Sequence, residues 1–204
     1  KFQTHIAEHE SSLDETFRVN FSYQDKTRFD YWKRMEFSEE QWLEISNHCR
    51  SRNIVFLSSA FSIEAIKMLN IIGMPAWKVG SGEFFSNHIL NEMKQTNKPI
   101  LLSTGMANWN EISNKLKLFK DYNNILLFQT TSKYPTPLNE IGLDFIEKLK
   151  SFGYPVGLSD HSGVVYPSVV ALSRKISSLE IHVTFNKKMF GPDTKASVTF
   201  EEFE

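Results

Sequence analysis

Short apolar runs alternate with helix-period stretches along most of the chain. The runs occupy residues 54–57, 76–79, 100–102, 125–128, 156–158 and 179–183. Each is bounded by polar or turn-forming residues, the pattern of strands buried on both faces. Between them, Ser38 with Gln41 forms a capping-box signature ahead of Trp42, Ile45 and Cys49 on one helical face. Ser62 is placed to cap a second helix, with Ile63, Ile66 and Leu69 inward and Gly73 as its stop. Ile89 with Met93, then Ile112 with Leu116 and Phe119, then Ile146 with Leu149, and finally residues 169–176 predict four more helices.

A strand and a helix thus recur about every 25 residues, the rhythm of a parallel sheet or a barrel. The six runs, with residues 1–3 read as the tail of a strand, give seven strands. A barrel closes with eight in ~250 residues. The reading is an α/β fold, a (β/α)8 TIM barrel lacking its first strand, with residues 1–204 as a fragment of that barrel. A doubly wound open sheet is the alternative, disfavoured because no Gly-x-Gly-x-x-Gly turn follows an early strand. Residues 4–37 break the rhythm, being long, charged and aromatic. Two readings stand for them: a lid over the catalytic face, or a surface excursion with its own aromatic cluster.

Composition narrows the class. The chain is 41% hydrophobic and 23% charged with a net charge of -1, which excludes disordered and fibrous proteins. Near-neutral charge without a basic stripe argues against nucleic acid as a partner. Lys115, Lys117 and Lys120 read as a solvated helical face. One cysteine, Cys49, suits a reducing, cytoplasmic compartment and reads as core packing. No run approaches the ~20 apolar residues of a membrane span, so no membrane partner is expected. Asn20-Phe21-Ser22 matches a glycosylation acceptor, a triplet that chance readily supplies.

The strand ends carry the chemistry. They hold Lys1 and Gln3; Ser58 and Ser59; Lys78, Ser81 and Glu83; Ser103 and Thr104; Thr130, Thr131, Ser132 and Tyr134; Ser159, Asp160 and His161; Glu180 and His182. Polar groups at the ends of buried runs waste burial energy unless they serve a site. Two lysines among hydroxyls suit a phosphate. Two histidines beside carboxylates suit a divalent metal. Glu83, flanked by glycine, is the best free acid–base candidate. Glu180 alternates with His182 and reads as a ligand or as an orienting neighbour, whereas Asp160 points to the opposite face and braces a loop.

In order along the chain, the strings Lys1-Phe2-Gln3-Thr4-His5, Trp77-Lys78-Val79-Gly80-Ser81-Gly82-Glu83, Leu102-Ser103-Thr104-Gly105-Met106, Tyr134-Pro135-Thr136-Pro137, Gly157-Leu158-Ser159-Asp160-His161 and Gly191-Pro192-Asp193 resemble the sialic acid synthase family. That family comprises N-acetylneuraminate, legionaminate and pseudaminate synthases. The resemblance implies a barrel transferase condensing phosphoenolpyruvate with an open-chain N-acyl amino sugar, such as N-acetylmannosamine or a 6-deoxy diacetamido sugar. It implies that Lys1, Ser59, Lys78, Ser81, Ser103, Tyr134 and Ser159 hold phosphoenolpyruvate. His161 and His182 would bind Mn²⁺ or Mg²⁺. Gln3, Glu83 and Asp193 would face the sugar or its reacting carbon, with Glu83 catalytic.

The chain departs from the family at Ala60, Ser132, Ile181 and Val183, where proline, asparagine, a basic residue and phenylalanine are usual. Nothing matches the family's first-strand Glu-Ile-Gly motif. Nor is there a counterpart of its C-terminal antifreeze-like domain, which reaches into the partner's site in a homodimer. Two rivals follow: another phosphoenolpyruvate-dependent 3-deoxy-keto-acid synthase, or a truncated barrel that binds without catalysis.

Overall fold

Ser38 and Gln41 cap each other's backbone reciprocally and open α2 (Glu39–Ser51), as their spacing predicts. Ser62 accepts from the Ala65 amide to open α3 (Ile63–Ile72), and Gly73 closes it at φ 92°, a left-handed turn that glycine enters without strain. In this computed structural model residues 1–17 and 22–204 are described, so the acceptor Asn20 lies outside the described residues.

The chain divides into two units. The first, Lys1–Val79 with Phe85–Ile100, holds β1 (Phe2–Thr4), α1 (Arg28–Met35), α2, β2 (Ser58–Ala60), α3, β3 (Trp77–Val79) and α4 (Asn87–Gln95). β1, β2 and β3 lie side by side in parallel, with Gln3 opposite Ser59 and Ser59 opposite Lys78. Ala65, Ile66, Leu69, Met74 and Trp77 are buried in this unit. The Trp77 indole N–H donates to Thr96 Oγ1 at 2.7 Å, which lets a large polar ring sit in the core.

The second unit, Gly80–Phe84 with Leu101–Glu204, takes up β4 (Ile100–Ser103) from its second residue. It continues through α5 (Trp109–Leu118), β5 (Ile125–Thr130), α6 (Phe145–Lys150), β6 (Val156–Asp160), α7 (Tyr166–Ser173), β7 (Ser178–Thr184), β8 (Ser197–Thr199) and α8 (Phe200–Phe203). β5 to β8 pair in chain order, all parallel. Gly157 in β6 allows that closeness: a Cβ there would meet Ser178 O at 2.5 Å and the Phe128 ring at 2.6 Å. Leu102, Ile112, Leu127, Ile146, Leu149 and Leu158 are buried in this unit.

Several expectations need correction. The run at 54–57 is not a strand; Ile54 and Val55 are 64% and 72% exposed. The strand begins at Ser58, because β1 starts at Phe2, whose amide bonds Leu57 O, and pairing runs forward from there. Eight strands stand among the described residues, not seven, since Ser197–Thr199 pairs with β7. The helix of 169–176 starts earlier and stops at Ser173, with Val169 and Leu172 exposed. Lys115 is not solvated: it is 6% exposed, with its ammonium 5.4 Å from the centroid of the Phe84 ring.

Residues 4–37 contain α1, opened by a Thr27–Asp30 capping box, and an aromatic cluster in which His5 stacks on Trp32. Cys49 is half-buried on the inner side of α2. Among the described residues no helix is long and apolar enough to cross a membrane.

Candidate active site

β6 and β7 build a polar cluster in the second unit. Their register sets Ser159 opposite Glu180 and Asp160 opposite Ile181. Because side chains alternate along a strand, Ser159 and Glu180 share a face, with His161 and His182 two residues further along. Ser159 Oγ donates to Glu180 Oε1 at 2.8 Å and lies 3.4 Å from His161 Nε2. The imidazole centroids of His161 and His182 are 5.2 Å apart. Asp160 turns the other way and accepts from the amide and hydroxyl of Ser162, both at 2.9 Å. Asp160 therefore braces the loop.

The tautomer of His161 follows from its neighbours. Its Nδ1 lies 2.9 Å from Thr131 O, which can only accept, so Nδ1 carries the proton. Nε2 is then an acceptor, and the Tyr134 hydroxyl donates to it at 3.1 Å. The Tyr134 ring lies over the imidazole at 4.1 Å between centroids. Burial, and then the carboxylates of Asp193 and Glu180, push the Tyr134 phenol well above its ordinary value, which keeps it a donor. Burial, aided by His182, holds the His161 imidazole below its ordinary value despite the Thr131 carbonyl. His161 is thus neutral, the form that ligates metal. Asp193 Oδ2 lies 3.9 Å from His182 Nδ1.

Two imidazoles flanked by carboxylates fit a divalent ion. Among the described residues no group of three His, Cys, Asp or Glu side chains gathers to hold one alone.

A second cluster of this unit surrounds Gly105. Its amide donates to Ser81 Oγ at 3.2 Å. A Cβ there would meet Thr130 O at 2.7 Å, Ser132 Oγ at 2.9 Å and Ser81 Oγ at 3.0 Å, so only glycine fits among these oxygens. Ser103 and Thr104, just before it, are buried, and Thr104 Oγ1 donates to Phe128 O at 3.0 Å. Glu83 folds back on its own turn: a Cβ on Gly80 would lie 2.6 Å from its Oε2.

The first unit brings three of the remaining residues together. Gln3, Ser59 and Lys78 form one register row across β1, β2 and β3 and so share a face. Lys78 is 2% exposed, and its Nζ donates to Val79 O at 3.1 Å. Lys1 and Gln3 are exposed. Ser81, Ser103, Ser159, Tyr134, Glu83, His161, His182 and Asp193 belong to the second unit. The sequence reading missed the Thr131 carbonyl and the fit at Gly105. The first is a backbone group with no residue signature. The second had only a glycine after two hydroxyl residues as its sign.

Comparison with known proteins bears on the family and the parallel α/β fold. The profile of the NeuB family matches residues 1–204. The N,N'-diacetyllegionaminic acid synthase of Campylobacter jejuni is 33% identical over 193 residues, 92% of this chain and 58% of that enzyme. The pseudaminic acid synthase of Helicobacter pylori is 29% identical over 95% of this chain and 58% of that enzyme. Among solved structures, the N-acetylneuraminic acid synthetase of Leptospira borgpetersenii, in complex with citrate, superposes with a TM-score of 0.81 at 26% identity. The match covers 85% of this chain and 62% of that one. The chain thus spans about three-fifths of the length of these relatives.

Proposed function

Because the chain belongs to the NeuB family, we propose that it is the phosphoenolpyruvate- and metal-binding part of a sialic-acid-type synthase barrel. The reaction joins C3 of phosphoenolpyruvate to the aldehyde carbon of an open-chain N-acyl amino sugar. Water adds at C2, and the C2–O bond to phosphate breaks. The products are a nine-carbon 3-deoxy-2-keto sugar acid and phosphate.

The observation that carries this reading is the His161–His182 pair, with Tyr134 and Ser159 beside the His161 nitrogen. His161 and His182 would hold Mn²⁺ or Mg²⁺, which when bound supplies Lewis-acid polarisation of a carbonyl. Thr131 O fixes the His161 ring, and Glu180 holds Ser159 in place. Lys78, with its charge buried, opposes the phosphoenolpyruvate dianion, and low surrounding dielectric strengthens that attraction. Ser81 and Ser103, in the second unit, are short hydroxyl donors of the kind that suits a phosphate. Glu83, which folds back over Gly80, holds or moves the proton at the reacting oxygen. Gln3 and Asp193 would meet the sugar.

The test is conversion of phosphoenolpyruvate with N-acetylmannosamine or a diacetamido hexose, followed by release of inorganic phosphate and appearance of the keto acid. Lys78→Met is expected to weaken phosphoenolpyruvate binding by about tenfold or more, with sugar binding changed far less. Product from simple aldoses but not from acylamino sugars would replace this reading with that of another 3-deoxy-keto-acid synthase.

A further inference from the structure

His5 follows β1 directly, two residues beyond Gln3, and has no part in the site described above. Its ring is clamped between two parallel aromatic faces: Trp32 at 3.5 Å and 15°, and Phe61 at 4.2 Å and 6°. Its Nδ1 lies 2.6 Å from Glu10 Oε2, and the two side chains are 9% and 8% exposed. Glu10 Oε1 accepts from the Ile6 amide at 2.6 Å, so the carboxylate is fixed at both oxygens. The carboxylate accepts from the Nδ1–H, so the neutral ring keeps its lone pair on Nε2, whose direction the stack fixes. Among the described residues that nitrogen, which is buried, has no hydrogen-bond partner. The indole Nε1 of Trp32, a donor in the ring stacked on it, is also buried and has none among them. Orphaned buried polar atoms are rare because each forfeits its hydration. Here an unused acceptor and an unused donor sit in adjacent stacked rings.

We propose that His5 and Trp32 form a hydroxyl-binding subsite at the end of β1, in which His5 Nε2 accepts from a polyol hydroxyl and Trp32 Nε1 donates to one. A hydroxyl both donates and accepts, so it is the smallest ligand group that serves both nitrogens. Glu10 and the aromatic clamp preorganise the acceptor, and Gln3 lies on the same strand. Naming the hydroxyl's owner as the open-chain amino sugar rests on the proposed function; the subsite itself does not. Both atoms are sealed in the present arrangement, so a ligand enters as α1 yields. Two polar contacts join α1 and its cap to this corner: Lys33 with Glu8, exposed on both sides and weak, and Glu36 Oε2, which accepts from the Ala7 amide at 3.0 Å.

The full chain, labelled with ¹⁵N-histidine, is titrated with N-acetylmannosamine, with mannitol and with phosphoenolpyruvate. His5 Nε2 is expected to read as an unprotonated acceptor and to shift with both polyols but not with phosphoenolpyruvate. His5→Phe and Trp32→Phe, which keep the flat stack, are each expected to weaken polyol binding about tenfold while leaving phosphoenolpyruvate affinity unchanged. A protonated Nε2, or no His5 shift with either polyol, overturns the proposal and leaves the stack as packing only. Equal losses for polyol and phosphoenolpyruvate in the Phe variants also overturn it. A mannitol-responsive His5 in a chain that binds neither phosphoenolpyruvate nor Mn²⁺ would sustain the subsite and defeat the proposed function.

Discussion

Ser159 on β6 and Glu180 on β7 are register partners, and the serine hydroxyl donates to the carboxylate at 2.8 Å. The bond ties two neighbouring strands just below the histidines they present. Ser159 is 3% exposed, so water does not replace the bond when it is lost. Ser159→Ala should cost about 1.5–3 kcal/mol in urea unfolding, the range for a hydrogen bond to a charged group. With Glu180→Gln it should give a non-additive double-mutant cycle, and strict additivity would mean the bond contributes nothing.

Removal of either imidazole should abolish the strong divalent site. Mn²⁺ titration by calorimetry should find one site in the parent chain and a large loss of affinity in both His161→Ala and His182→Ala. Affinity retained in both variants would remove this pair from the metal site.

Gly80 gives access to Glu83 without touching it. An alanine methyl at position 80 would stand 2.6 Å from the carboxylate oxygen, so the flexible side chain must swing away. Gly80→Ala should lower turnover while leaving phosphoenolpyruvate affinity nearly intact. Glu83→Gln should cost about 10²–10⁴ in rate if Glu83 transfers a proton. Normal rates in both variants would return Glu83 to a structural role.

Stability should depend on pH through His161. Its folded value lies below the ordinary ~6.5 because of burial, so the unfolded chain binds the proton first as pH falls. The stabilisation is complete above about pH 6.5 and declines as pH drops beneath it. Asp160, pushed up by burial, works in the opposite sense within the more acidic carboxylate range. Urea midpoints of metal-free protein between pH 8 and 5 should fall with acidification, and His161→Gln should flatten the slope. An unchanged slope in that variant would assign the dependence elsewhere.

The rhythm of strand and helix was legible because it depends on local pattern: the caps at Ser38 and Ser62 and the stop at Gly73 need only neighbours in sequence. Strand pairing was not. Residues 54–57 have a strand's composition, yet the ladder starts at Ser58 because β1 begins opposite it. The same limit hid β8, whose Ser-Val-Thr has no apolar run and is a strand only by pairing with β7. Lys115 looked solvated from its spacing, but its long stem carries the charge over the Phe84 ring. The histidines could be named from sequence, but the Thr131 carbonyl that selects the His161 tautomer could not.

β7 changes neighbours in mid-strand, lying against β6 from Ser178 to Ile181 and against β8 from His182 to Thr184. A seam therefore runs between Ile181 and His182, just where one of the two imidazoles leaves the backbone. The other imidazole follows directly on β6, on the far side of that seam. The 5.2 Å between the ring centroids is therefore set where two ladders meet, not within either one, so a change in the pairing of β7 with β8 reaches His182 while leaving the β6 side, and His161, in place.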